Sequence, residues 1–75
     1  MNEYWMWWKA GSKQELLVGD DELAAAAQRF AFDFDRVKRD GAVDFLDDGG
    51  TAYFDEGIDS SEDRVVGGIY LDVTR

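Results

Sequence analysis

Residues 65–74 read VVGGIYLDVT. β-Branched and aromatic side chains dominate this stretch, and its apolar positions recur at every second residue, the pattern of a strand. Alternation puts Val65, Ile69, Leu71 and Val73 on one face with Gly67. It puts Val66, Tyr70, Asp72 and Thr74 on the other with Gly68. Two adjacent glycines inside a strand predict a bulge or the close approach of another backbone. A strand with one apolar face has to bury it, so the remainder of the chain must supply a covering layer.

Upstream, residues 42–46 (AVDFL) and 51–55 (TAYFD) read as two more strands. The intervening Asp47-Asp48-Gly49-Gly50 is a hairpin signal, because glycine tolerates the positive φ angles of such turns. The covering layer is a helix over the preceding residues. Asp20 or Asp21 is the expected N-cap, and an acidic first turn complements the helix dipole. Ala24 to Ala27 are strong helix formers. Leu23, Ala27, Phe30 and Phe34 fall on one stripe, set to bury against Val65, Ile69, Leu71 and Val73. Arg36, Lys38 and Arg39 sit where a helix C-terminus favours cations, and Gly41 is the expected stop. The alternation from Phe32 to Arg36 leaves an earlier end open. At the start of the chain, residues 3–9 (EYWMWWK) read as an aromatic strand, Ala10 to Lys13 as a turn, and residues 14–18 (QELLV) as a returning strand. The polar stretch 56–63 (EGIDSSED) reads as a loop. The expected fold is α+β, an antiparallel sheet of four to five strands with one helix packed on one face, in a single domain over residues 1–75.

A domain of 75 residues has a thin stability margin, burying only about 60% of the surface its unfolded chain exposes. Small folds often add disulfides or a structural metal. The chain has no Cys and no His, so disulfides and the usual zinc sites are excluded. Apolar packing must suffice, and five Phe, three Trp and three Tyr provide it. The N-terminus lacks the basic stretch and leucine-rich run of a secretory signal. No apolar segment approaches the roughly 20 residues that span a bilayer. A net charge of −9 is repelled by anionic membrane surfaces. A cytoplasmic protein with no membrane partner is expected, either a monomer or a small homo-oligomer.

The charge is segregated. Residues 1–39 hold seven acids and six bases, residues 64–75 one acid and two bases, and residues 40–63 nine acids and no base. Those nine are Asp40, Asp44, Asp47, Asp48, Asp55, Glu56, Asp59, Glu62 and Asp63. Aspartate is a common turn former, and turns alone account for part of this. Concentrated like charge nevertheless opposes folding, and solubility favours mixed charge, so a one-sided acidic surface points to a docking face. Alternate strand residues lie about 6.6–6.8 Å apart on one face. Carboxylates so spaced resemble a ladder of phosphates, which advance about 3.4 Å each along one DNA strand axis. The candidate partner-binding residues are therefore Asp44, Asp47, Asp48, Asp55, Glu56, Asp59, Glu62 and Asp63. The expected partner is a basic nucleic-acid-binding protein or complex, not nucleic acid itself, whose phosphates this field repels.

In the first strand Trp5 and Trp7 lie opposite Tyr4, Met6 and Trp8. One set belongs to the core, and the other needs a second cover or forms an apolar anchor for a partner. Trp5 and Trp7 are the candidate anchor. Catalysis is not expected, because the carboxylates look solvated and neither His nor Cys is available. An EF-hand fails: Asp59, Ser61 and Asp63 have its first spacings, but Arg64 stands at the glycine position and Tyr70 at the final glutamate. A looser calcium site at Asp47, Asp48 and Asp55 remains a reading of the acids. The paired glycines lack the lysine and following helix of a phosphate loop. No metal or other cofactor is expected.

The acidic run from Asp40 to Asp63, with the chain's small size and lack of Cys, resembles the small phage-encoded inhibitors of the DNA-mimic anti-restriction and anti-CRISPR type. The resemblance is compositional, covers about a third of the chain, and carries no motif. It implies a stoichiometric, non-enzymatic inhibitor that occupies the nucleic-acid site of a defence complex. The alternatives are an acidic structural or regulatory module of a salt-adapted organism, consistent with only three Lys, and a small calcium-binding module.

Overall fold

The stretch beginning at Val65 is the central strand of a five-stranded antiparallel sheet. The computed structural model describes residues 2–53 and 63–72. In chain order these form β1 (Glu3–Trp8), a 3₁₀ turn (Ala10–Ser12), β2 (Lys13–Val18), α1 (Gly19–Phe30), α2 (Phe34–Asp40), β3 (Ala42–Leu46), β4 (Thr51–Tyr53) and β5 (Val65–Asp72). The order across the sheet is β2-β1-β5-β3-β4. The fold is α+β as expected, with the sheet at five strands. Phe54 and Asp55, expected in the fourth strand, lie outside the described residues, as do the loop to Glu62 and the tail from Val73.

Alternation on β5 is interrupted. Phe45 pairs with Gly67 and Leu46 with Val65, so the register skips Val66 between them. A bulge of this kind inverts the two-residue period beyond it. Val65 accordingly joins Leu46, Ala52 and Trp7 on the sheet face away from the helices, while Val66 packs with the helix-side core. This corrects the expectation that Val65 shares a face with Ile69 and Leu71. The glycines serve the second purpose expected of them. A Cβ at Gly67 would lie 2.5 Å from the Trp7 carbonyl oxygen, and one at Gly68 2.7 Å from that of Val43. Neighbouring strands close on β5 because these side chains are missing.

The single expected helix is two helices. α1 begins at Gly19 with Val18 as its N-cap, so Asp20 and Asp21 stand in its first turn and not at the cap. Glu22 instead reaches back to accept the Val18 N–H at 3.2 Å. α1 ends because Ala31 takes a left-handed conformation, φ 59° and ψ 47°. Phe32 then turns into the core, its N–H donating to the Ala27 carbonyl at 3.1 Å. Asp33 starts α2, its carboxylate accepting the Arg36 N–H at 3.1 Å. The Asp33 N–H donates to the Tyr53 hydroxyl at 2.8 Å, tying the break to β4. Gly41 ends α2 at φ 87°, as expected.

Both helices cover one sheet face. Tyr4, Met6, Leu17, Val43, Phe45 and Ile69 meet Leu23, Ala26, Ala27, Phe32 and Val37 there, all buried. Phe30 stacks on Phe45 with ring centroids 5.1 Å apart, and Trp8 lies 5.2 Å from Phe45 and 5.4 Å from Phe30. These separations fall in the range where aromatic pairs add to area burial. Among the described residues no helix is long and apolar enough to cross a membrane.

Candidate functional site

The β3–β4 hairpin is built by its own turn chemistry. The Leu46 N–H donates to the Gly50 carbonyl at 2.9 Å, and the Gly49 N–H donates to that of Leu46 at 3.0 Å. Gly49 has φ 89°, a conformation that a side chain would strain. The Asp48 carboxylate accepts the Gly50 N–H at 2.8 Å, an Asx turn. Asp48 therefore has a local structural task as well as a charge.

A second contact draws the start of β5 to this turn. The Asp47 N–H donates to the Arg64 carbonyl at 2.8 Å. Asp47, Asp48 and Asp63 are thereby brought to one end of the sheet, all exposed. Arg64 lies among them, with its Nη2 3.7 Å from the Asp48 carboxylate. Both partners are more than half exposed, so solvent screens the pair and it neutralises Asp48 only weakly. Asp44 is half-buried one β3 repeat away, on the face that the helices leave open. Asp55, Glu56, Asp59 and Glu62, the other expected binding residues, lie outside the described residues. Asp55 also belongs to the looser calcium set. Among the described residues no group of three or more carboxylates is placed to hold a metal ion.

Two acids on the helices, Asp40 and Asp20, are engaged internally. Arg39 Nε donates to Asp40 at 2.9 Å, with Arg36 Nε 3.8 Å from the same carboxylate. The Arg39 hydrogen bond holds the Asp40 carboxyl below its ordinary pKa. Lys38 Nζ donates to Asp20 at 2.8 Å, which bridges α2 to α1 and raises the lysine pKa above its ordinary value. The first acid of the run is thus paired with the protein's own bases at close range, whereas Asp48 in the hairpin meets the Arg64 guanidinium only at 3.7 Å.

The strand residues sort Trp5 and Trp7 away from the main core. Tyr4 and Met6 are buried beneath the helices with Trp8 beside them. Trp5 and Trp7 occupy the open face, both half-buried. Trp7 packs on Leu46, Ala52 and Val65. Trp5 Nε1 donates to the Asp72 carboxylate at 3.1 Å. Registry places Leu16, Trp5, Tyr70 and Ala42 in one row across the sheet. It places Gln14, Trp7, Gly68, Asp44 and Ala52 in the next. Tyr70, 42% exposed, and Asp72 were not candidate binding residues on sequence grounds. Their signal was present in the alternation of β5, which sets them opposite Ile69, but only the strand order shows that they adjoin Trp5.

No protein-family model, no curated protein and no solved structure matches this chain.

Proposed function

We propose that this protein is a non-enzymatic inhibitor of the DNA-mimic type, which occupies the basic nucleic-acid-binding groove of a partner protein or complex in the cytoplasm. The observation that carries the reading is the gathering of Asp47, Asp48 and Asp63 at one end of the sheet. They belong to a segment, residues 40–63, whose sequence has nine acids and no base. A groove built for DNA or RNA presents Lys and Arg at phosphate spacing, and carboxylates clustered on a small rigid body complement it. Each exposed ion pair adds little alone. A cluster meeting an oppositely charged groove speeds association and fixes register.

The test is capture from host lysate at low salt, using the immobilised wild-type chain and a variant carrying Asp47→Lys and Asp48→Lys. The expected result is a nucleic-acid-handling protein that binds the wild type, elutes as salt rises, and is lost with the variant. Capture that survives the charge reversal, or recovery of no such protein, rejects the proposal.

A further inference from the structure

We infer that the outer edge of β2 pairs with the same edge of a second copy, joining two five-stranded sheets into one about a twofold axis at Gln14. The pairing is independent of how the acidic hairpin docks. β2 is an edge strand, with β1 as its one neighbour in the sheet. Hydrogen bonds show which of its backbone groups face outward. The Gly19 N–H donates to the Asn2 carbonyl, and the Lys9 N–H donates to that of Val66. Bonding direction alternates along an antiparallel strand, so Lys13, Glu15 and Leu17 bond to β1 while Gln14, Leu16 and Val18 point outward. The Val18 N–H agrees, donating to Glu22 Oε1 instead of to a strand. Among the described residues, nothing bonds to Gln14 or Leu16 on that side.

The side chains select the occupant. Charges on an edge strand ordinarily keep other strands away. Lys13 and Glu15 are of opposite sign, exposed, and two residues apart on one side of the strand. A twofold axis at Gln14 sets Lys13 of each copy against Glu15 of the other, in the closer, non-hydrogen-bonded pairs where opposite charge stabilises. The two Gln14 residues then exchange backbone hydrogen bonds across the axis. An axis at Glu15 would oppose two like carboxylates. An axis at Leu16 would require Val18, whose N–H is occupied by Glu22 and whose carbonyl opens α1. The net charge of −9 does not forbid association, because the hairpin acids Asp47 and Asp48 stand at the opposite edge of the sheet. In the joined sheet, with strands about 4.8 Å apart, the two hairpins lie roughly 40 Å from each other, several times the Debye length of about 8 Å at physiological salt. Each dimer thus carries two acidic ends that face opposite ways.

The test is sedimentation velocity of the full chain from micromolar to millimolar concentration at physiological salt, for the wild type and for Lys13→Glu, Glu15→Lys and Gln14→Pro. The wild type should pass from monomer to dimer as concentration rises, and the Gln14 and Leu16 amides should gain protection from hydrogen exchange as it does. Each charge variant alone sets like charges against each other in both cross-strand pairs and should weaken the dimer about tenfold or more. Mixed in equal amounts, the two variants restore both opposite-charge pairs and should form a heterodimer. Gln14→Pro removes the central donor at an edge position that tolerates proline, and should leave a monomer whose circular dichroism is that of the folded chain. A wild type that stays monomeric throughout would overturn the inference and leave the edge to a foreign strand. A dimer that survives Gln14→Pro, or charge variants that do not recover on mixing, would overturn it as well.

Discussion

A methyl group at Gly67 would sit 2.5 Å from the Trp7 carbonyl oxygen and 2.6 Å from the Trp8 ring. Neither neighbour can yield easily, since one is backbone in a paired strand and the other packs against Phe30 and Phe45. Gly67→Ala should therefore cost about 1–3 kcal/mol or more through overpacking. At Gly49 a Cβ meets nothing within 4 Å, and only its positive φ of 89° resists substitution. Gly49→Ala should cost about 1 kcal/mol. Denaturant unfolding of the two variants checks the ranking, and a tolerant Gly67 would contradict the close approach of β1 to β5. The pair Gly67-Gly68 announced a bulge or a tight contact from sequence alone. That both occur together, and that Val65 changes face as a result, depended on the pairing of Leu46 with Val65, which a one-strand pattern does not contain.

At the level of elements, the strands were legible because alternation and glycine-rich turns are local signals. The helix was legible only in part. Its break falls at Ala31, which is left-handed without being glycine, so no residue type marks it. The stripe that joined Leu23 to Phe34 assumed continuous helix; Phe32 is the residue that goes into the core at the break. The clue that remained was Asp33, a good N-cap three residues before the N–H it accepts. Ala31→Gly should relieve the left-handed strain and stabilise the chain by about 1 kcal/mol. Asp33→Ala should cost about 1 kcal/mol by removing the cap. Opposite shifts in unfolding midpoint are expected for these two exposed positions, and a loss of stability in Ala31→Gly would argue that the break is held by something other than the Ala31 conformation.

For the molecule as a whole, the sequence located the charge but not the surface. Segregation of nine acids between residues 40 and 63 is a linear fact. The division of its described members into a paired Asp40, an exposed hairpin cluster and an Asp44 set beside Trp7 is a product of strand order. Trp5 and Trp7 were legible as a set opposite Tyr4, Met6 and Trp8. Which set the helices cover was not, because that depends on how β1 pairs with β2 and β5. The central claim is that the acidic end of the sheet stands in for nucleic acid. Competition tests it most directly: labelled protein is bound to the partner recovered by capture, and duplex DNA or single-stranded nucleic acid that the partner recognises is titrated in at fixed salt. Complete, mutually exclusive displacement is expected, with an affinity that falls steeply as salt increases. A stable ternary complex, holding both this protein and the nucleic acid on one partner, would contradict it.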